Sequence, residues 1–189
     1  MKKLNLILIA ASLISFSTYG QADSVNLPEP QYTGRIIFVN GNNAIPLEKK
    51  KASAKAKAGA SMYLTGIGKV TGTNNIIGVK SPVRIAQAEK HQFIIRVSDN
   101  NIDPFQLLNI FKLEQKIKKT ASKSYRFIET SSAETFSGSS AMDIGYIPFT
   151  AEKYGDYSFL ITLTKPLAPG EYAMTLEGSR VTFNMFGID

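Results

Sequence analysis

The chain has 189 residues, of which 43% are hydrophobic, with no cysteine and a formal net charge of +7 at pH 7. The lack of cysteine excludes disulfides, thiolate metal sites and a lipid anchor on cysteine, and the single histidine, His91, excludes a multi-histidine metal site. Stability must therefore come from packing, for which the length is sufficient in one domain.

The N-terminus has the order of a secretory signal peptide. Two lysines come first, an apolar stretch at residues 4–16 follows, and small residues lead up to Ala22. The apolar stretch is shorter than a membrane span requires. The predicted segments are a signal peptide at residues 1–22, an extended leader with two prolines at residues 23–33, and a folded domain at residues 34–189.

The export signal sets the expected compartment and partners. We expect a periplasmic or secreted protein with a cleaved signal peptide, not a lipoprotein, and no transmembrane span after cleavage. Removing residues 1–22, which contain two lysines and no acid, lowers the formal charge to +5. We expect no nucleic-acid partner for an exported protein, whereas anionic envelope polymers and lipid headgroups occur in that compartment.

Residues 34–47 predict a β-hairpin. Residues 34–40 are rich in β-branched and aromatic side chains, which favour a strand. The run Asn40-Gly41-Asn42-Asn43 then predicts a turn, with residues 44–47 as the returning strand.

Residues 48–60 carry conflicting signals. Alanine and lysine favour a helix, whereas alanines that alternate with Ser53, Lys55 and Lys57 have the period of a strand. We favour a strand whose lysines form a solvated, charged sheet edge, since charge runs are usually solvated. The alternative is a basic stripe that contacts an anionic polymer through Lys49, Lys50, Lys51, Lys55 and Lys57.

Glycines interrupt the next part of the chain. Residues 62–65 and 76–80 predict short strands, separated by bulges or bends at the glycines. Gly66-Ile67-Gly68 lacks the third glycine of a dinucleotide-binding loop, so we expect no such site.

Residues 82–86 and 91–97 predict two further strands. His91 begins the second of them, beside Glu89 and Lys90, and we expect it to be exposed. A serine triad would have to use this histidine, and no serine has the Gly-x-Ser-x-Gly context, so we expect no triad.

Asp99, Asn101 and Asp103 have the alternate spacing of the oxygen ligands that open a calcium loop. Pro104 stands where an EF-hand requires glycine, and the twelfth position is not glutamate, which excludes that motif. A different calcium geometry stays open as a metal-site hypothesis. The favoured alternative is a polar turn in which Asp103 caps one short helical turn at residues 105–108.

The middle of the chain predicts a long basic hairpin at residues 110–118 and 122–129. Its apolar residues Phe111, Leu113, Tyr125 and Phe127 are available to the core. A helix over residues 104–118 is the competing interpretation, since helical spacing also fits there. The serine-rich stretch at 129–141 predicts a loop, and 143–149 predicts a strand with a proline near its end.

Residues 157–189 alternate apolar and polar side chains in three runs, and predict three consecutive strands that close the fold. In the first run Tyr157, Phe159, Ile161 and Leu163 share one face. The break that follows contains Leu167-x-Pro169-Gly170-x-Tyr172, which resembles a tyrosine corner, in which the hydroxyl bonds back to nearby backbone. The alternative is a tyrosine that is simply large and half-buried.

These residues also carry a resemblance. Leu-Ala-Pro-Gly-Glu-Tyr-Ala at 167–173, followed by Phe-Gly-Ile-Asp at 186–189, is similar to the carboxyl end of a set of secreted β-rich proteins of Bacteroides-like bacteria. Ser81-Pro-Val-Arg, Arg96-Val-Ser-Asp-Asn and Asp103-Pro fit the same pattern, so the resemblance covers most of the chain. It implies a secreted β-rich domain, and it transfers no activity, ligand or catalytic residue.

The predicted fold is all-β, a single β-sandwich of the Greek-key or immunoglobulin-like kind with roughly eight to eleven strands and at most one short helix. We find no catalytic constellation and expect no cofactor. The leading functional expectation is an exported, non-catalytic module that binds an unknown protein or an anionic envelope polymer.

The alternative is a carbohydrate-binding or weakly carbohydrate-active protein. Acid pairs such as Glu129 and Glu134 could act in a glycosidase only if they face each other across a sugar. A flat face of tyrosines would instead favour glycan binding, with the candidates Tyr32, Tyr63, Tyr125, Tyr146, Tyr154 and Tyr157.

Overall fold

The computed structural model describes residues 25–88, 90–118, 123–134, 145–178 and 181–189, so the predicted signal peptide lies outside the described residues. The described helices are α1 (Ala60–Thr65) and α2 (Pro104–Leu107). The described strands are β1 (Ile36–Asn40), β2 (Asn43–Pro46), β3 (Glu48–Lys51), β4 (Ser53–Ala58), β5 (Lys69–Ile77), β6 (Arg84–Ile85), β7 (Gln92–Arg96), β8 (Leu108–Lys116), β9 (Tyr125–Glu134), β10 (Phe149–Tyr154), β11 (Ser158–Leu163), β12 (Gly170–Leu176) and β13 (Thr182–Ile188).

The strands form two sheets. The five-stranded sheet has the order β10-β11-β7-β1-β2, and the eight-stranded sheet has the order β3-β13-β12-β8-β9-β5-β4 with β6 parallel to β13. The other pairings between these strands are antiparallel. The predicted all-β, sandwich-like fold is therefore confirmed.

The main core lies between the two sheets. Strands β7 and β11 contribute Phe93 and Ile161, which are fully buried, and β8, β12 and β13 contribute Ile110, Met174 and Phe186. Period-two alternation places these residues on the inner faces of their strands, and each buried side chain contributes roughly 1.5–3 kcal/mol.

A second, smaller core lies on the other face of the eight-stranded sheet. Phe111, Ala173 and Met185 point away from the sandwich and pack with Ile76 of β5 and Ile128 of β9. The order of the sheet begins at β3 and ends at β4, and a single residue separates these two strands in sequence. The sheet therefore curls back toward its own start, which is how β5 and β9 reach this face.

The leader packs on the outer face of the five-stranded sheet. Leu27 is buried against Ile37 and Ile94, with Val25 beside it. The Tyr154 hydroxyl accepts a hydrogen bond from the Leu27 amide at 2.8 Å. The described part of the leader is thus part of the folded domain.

Glu29 anchors the same segment to the turn between β10 and β11. Its carboxylate accepts hydrogen bonds from the Ser158 hydroxyl and from the amides of Asp156 and Tyr157. The hydrogen bond from Ser158, helped by the two amides, holds the pKa of Glu29 below its ordinary value. Gly155, at φ 60°, is required in this turn because a Cβ there would overlap the Glu29 carboxylate.

The strand favoured for residues 48–60 is confirmed over most of its length, because β3 and β4 occupy residues 48–51 and 53–58. The strand predicted at residues 62–65 is wrong, since α1 covers them. Gly66 takes the left-handed conformation at φ 69° and its amide donates to the Met62 carbonyl, which ends the helix. The domain therefore has two short helices among its described residues instead of at most one.

The short helical turn near residue 104 is confirmed as α2, and the Asp103 carboxylate caps it by accepting from the Phe105 amide at 2.9 Å. The competing long helix is wrong because β8 begins at residue 108. The loop predicted from residue 129 is wrong over residues 129–134, which belong to β9, and its remainder lies outside the described residues.

The strand predicted at residues 143–149 is wrong for residues 145–148, which have no regular structure, and residues 143–144 lie outside the described part of the chain. Strand β10 instead occupies residues 149–154. The face predicted for β9 is also inverted, because Arg126 and Ile128 are buried while Tyr125 and Phe127 are half-buried.

The last three strands are present as predicted, but they lie in two different sheets. Strand β11 belongs to the five-stranded sheet, and β12 and β13 belong to the eight-stranded sheet, so residues 164–169 cross between them. The Tyr172 hydroxyl donates to the Ala168 carbonyl at 2.6 Å, which confirms the tyrosine corner at this crossing. Burial raises the pKa of Tyr172.

The described chain has thirteen strands, more than the eight to eleven expected. Ala52 divides one predicted strand into β3 and β4, which adds one strand.

Candidate functional site

Two lysines of β3 bind neighbouring groups of the fold. Lys49 donates from Nζ to the Gly34 carbonyl at 3.1 Å, and Lys50 forms an ion pair with Glu48 at 2.6 Å. The register with β13 places Lys50 and Glu48 on the same face of the sheet, with Lys49 on the opposite face. The three lysines of β3 therefore do not form one continuous stripe.

The lysines of β4 are presented differently. Lys55 and Lys57 are exposed on one face of β4, opposite Thr73 and Thr71 of β5. Strand β4 contains no buried residue. Lys51 on β3 is exposed as well. The structure thus separates Lys49 and Lys50, which bind neighbouring groups, from the exposed lysines of β4.

Lys55 also lines a cleft of about 320 Å³ between the start of β4 and the β8–β9 hairpin, which we call the basic cleft. Lys118 and Lys123 reach it from the two arms of the hairpin, and the Lys118 ammonium lies 6.0 Å from the centre of the Tyr125 ring. The remaining lining residues are Ser53, Asn75, Ile77 and Ser124.

The chemistry of the basic cleft suits anions. Its lining residues comprise three lysines and no acid, and Asn75 and Ser53 add polar groups. Ammonium groups within a Debye length of about 8–10 Å of a bound ligand attract it together at physiological salt. Lys118 and Lys123 are absent from the sequence-predicted site because a distant hairpin brings them to β4.

A second cluster of charges is buried inside the curled sheet. Arg126 has 0% of its side chain exposed. It donates to Glu171 at 3.2 Å, to Glu48 at 3.0 Å and to the Gly78 carbonyl at 3.1 Å. Burial raises the pKa of Glu48, but hydrogen bonds from Lys50 and Arg126 outweigh it and leave that pKa below its ordinary value.

The same cluster gathers residues that carry the resemblance noted above. Arg84 donates to both Glu171 and Asp189, and the Ser81 amide donates to Glu171 at 2.7 Å. A Cβ at Gly187 would overlap the Arg84 guanidinium, so glycine leaves room for this side chain. These residues, with Arg126 and Glu48, form what we call the ion-pair cluster, and its contacts join β3, β6, β9, β12 and β13.

The electrostatics of Arg84 and Asp189 reinforce this arrangement. Hydrogen bonds and charge from Asp189 and Glu171 raise the pKa of Arg84, and the hydrogen bond from Arg84 lowers the pKa of Asp189. Every charge in the ion-pair cluster has a partner of opposite sign, as buried charges require. The ion-pair cluster therefore stabilises the packing of these strands against one another.

The carboxylates found together do not form a glycosidase pair. Glu48 and Glu171 both bind Arg126, so a guanidinium occupies the space where a sugar would have to lie. Of the acid pair considered from sequence, Glu129 lies on β9, and the side chain of Glu134 lies outside the described residues.

The three candidate calcium ligands are engaged by donors of the protein. Asp99 accepts hydrogen bonds from the amide and side chain of Asn101, and Asp103 caps α2. The Asn101 side-chain oxygen accepts from the Lys153 ammonium at 2.7 Å, and this positive charge disfavours a cation beside it. The geometry matches the polar turn that we favoured.

His91 is buried, with 1% of its surface exposed, so the expectation that it is exposed is wrong. Its Nε2 lies 3.1 Å from the Ala86 carbonyl, and its ring packs 6.2 Å from that of Phe38. Within the described ranges there is no group of three or more histidine, cysteine or acidic side chains suited to a metal ion.

The candidate tyrosines lie on different elements. Tyr154 holds the leader, Tyr157 packs under the Arg96 guanidinium at 5.1 Å, and Tyr125 lines the basic cleft. Tyr146 lines a separate cleft of about 330 Å³ beside α2. In this cleft the rings of Phe105 and Phe149 stack with their centres 4.7 Å apart. We call this second site the aromatic cleft.

Comparison with protein-family models, with curated proteins and with solved structures finds no match for this chain. Across the residues that the structure covers, neither helix has the length and hydrophobicity needed to span a bilayer.

Proposed function

We propose that the protein is an exported, non-catalytic β-sandwich module that binds an anionic envelope polymer through the basic cleft. The observation that carries this proposal is that Lys55, Lys118 and Lys123 line one cleft together with Tyr125, and that this lining contains no acid. Export rests on the signal-peptide pattern of residues 1–22.

The lining favours a polymer that combines negative charge with sugar rings. Lysine ammoniums attract phosphate, sulfate or carboxylate groups without demanding one geometry, because each is a point charge on a flexible stem. The ring of Tyr125 offers an apolar surface on which a sugar can pack. Such a site has a low affinity for a single repeat of the polymer. Its overall affinity rises when several repeats of one chain are available to bind.

The test measures retention on a heparin-like sulfated polysaccharide at low salt. The variant carries Lys55→Gln, Lys118→Gln and Lys123→Gln. The matched control carries the same number of changes on β3, at Lys49, Lys50 and Lys51. We expect the cleft variant to lose at least tenfold in affinity and the β3 control to lose much less, although both lower the net charge equally.

Equal losses in the two variants would contradict the proposal, because they would mean that retention follows net charge instead of the basic cleft. Retention that persists at high salt would also contradict it, since exposed charge pairs are screened there. Binding of a neutral glycan that Tyr146→Ala abolishes would favour the alternative, a carbohydrate-binding protein that uses the aromatic cleft.

A further inference from the structure

The tip of the β4–β5 hairpin exposes large apolar side chains. Tyr63 and Leu64 on α1 are 80% and 85% exposed, and Ile67 in the following turn is 46% exposed. Helix α1 buries none of its residues. The side chains of Tyr63, Leu64 and Ile67, which we call the apolar tip, therefore do not contribute to the core.

The apolar tip is held in a defined shape. The Thr65 hydroxyl donates to the Ser61 carbonyl at 2.9 Å, and Gly66 ends α1 in the left-handed conformation. Gly68 approaches the start of α1 so closely that a Cβ would meet the Ser61 hydroxyl oxygen at 2.6 Å. A structured turn thus holds two large apolar side chains outward, an arrangement that folding alone does not explain.

Positive charge flanks the apolar tip. Lys55 and Lys57 are exposed on the strand that leads into it, and Lys69 is exposed where β5 leaves it. At about 3.3 Å per residue, Lys57 lies roughly 10 Å and Lys55 roughly 17 Å from the start of α1.

We infer that the apolar tip inserts into the headgroup region of an anionic phospholipid bilayer, with Lys55 and Lys57 against the negative headgroups. Exposed apolar side chains flanked by lysines are the combination that binds such an interface. A second copy of the chain is a poorer occupant, because a stable interface buries about 800 Å² on each partner, and three side chains on a narrow hairpin supply less. The inference does not depend on the proposed polymer binding.

The experiment uses a chain that starts at Asp23, which keeps every described residue and removes the apolar stretch that would itself bind lipid. Because the chain contains no tryptophan, Leu64→Trp introduces a single fluorophore at the apolar tip. Tyr32→Trp serves as its control at an exposed site on the leader. We expect vesicles of phosphatidylcholine with phosphatidylglycerol to shift the emission of the first to shorter wavelength and to leave the second unchanged.

Co-sedimentation with the same vesicles gives the affinity. We expect Tyr63→Ser with Leu64→Ser to lose at least tenfold, because burying each large apolar side chain contributes about tenfold or more to partitioning. Tyr32→Ser with Ile102→Ser is the matched control, since it also removes one exposed tyrosine and one exposed aliphatic residue. Circular dichroism confirms that each variant is folded.

Three outcomes would overturn the inference. These are no sedimentation with anionic vesicles, equal sedimentation of the two double variants, and a concentration-dependent emission shift of Leu64→Trp without vesicles, which would mean that copies pair through the apolar tip. Loss of vesicle binding in the apolar-tip variant with retention on heparin unchanged would separate this inference from the proposed function.

Discussion

The ion-pair cluster and the β4–β5 hairpin place positive charge in opposite environments of one sheet. In the ion-pair cluster Arg126 is fully buried, and every charge has a partner of opposite sign. On the hairpin Lys55 and Lys57 are exposed on a strand with no buried residue. One end of the sheet therefore uses paired charges to hold strands together, while the other end leaves its positive charges available to a ligand.

The physical reason is the cost of removing a charge from water. Burying an ion costs several kcal/mol of desolvation, which only well-placed partners offset. Removing one partner therefore strongly destabilises the fold. An exposed lysine keeps its water and contributes little to folding. The two regions should therefore respond very differently to the loss of a charge.

The largest expected effect is that of Arg126→Met. It leaves Glu48 and Glu171 without their shared guanidinium in a buried site, and we expect it to lower the free energy of unfolding by about 3–5 kcal/mol. Urea denaturation measures this change. Lys57→Met is the control and should change the free energy by less than about 0.5 kcal/mol. Comparable values for the two would remove the distinction between the regions.

A smaller effect is expected for Gly187→Ala. The added Cβ must displace the Arg84 guanidinium and so weakens its pairs with Glu171 and Asp189, and we expect a loss of about 1–3 kcal/mol by thermal or urea denaturation. In a background that already carries Arg84→Ala, the same substitution should cost much less, because the two changes act on one contact. Additive losses would mean that Gly187 matters for another reason.

The smallest expected effect is on the stability of the fold at acidic pH. The pKa of Glu48 lies below its ordinary value of 4.5, so its stabilising contribution is complete above pH 4.5 and is lost as the pH falls through the lower, folded-state pKa. Glu48→Gln should therefore flatten part of the decline in unfolding free energy below pH 4.5, measured by urea denaturation at several pH values. The exposed Glu152→Gln is the control, and an equal change there would contradict the role of Glu48.

Local patterns predicted much of the fold. Composition and a turn signal at 34–47, and strand patterns at 91–97 and 170–188, predicted strands that the structure contains, and Asp103-Pro104 predicted the start of α2. These succeed because a strand with one buried face repeats with period two, and because a cap needs only neighbouring residues.

Predictions failed where the outcome depended on distant parts of the chain. Strand β9 buries the face opposite to the predicted one because Arg126 binds Glu48 of β3 and Glu171 of β12. The pattern of apolar residues cannot predict a buried arginine, since its partners are distant in sequence. The strand predicted at 62–65 is a helix that buries nothing, and no core periodicity could identify it.

The all-β class, the tyrosine corner and the positive charge of the segment at 48–57 could be predicted from the sequence. Which charges are structural and which are accessible depends on the tertiary structure. Arg126 pairs with Glu48 and Glu171 inside the curled sheet, whereas Lys55 lines an open cleft together with Lys118 and Lys123. The reason is that burial and pairing of a charge depend on strand order and sheet curvature, which arise from contacts between residues far apart in the chain.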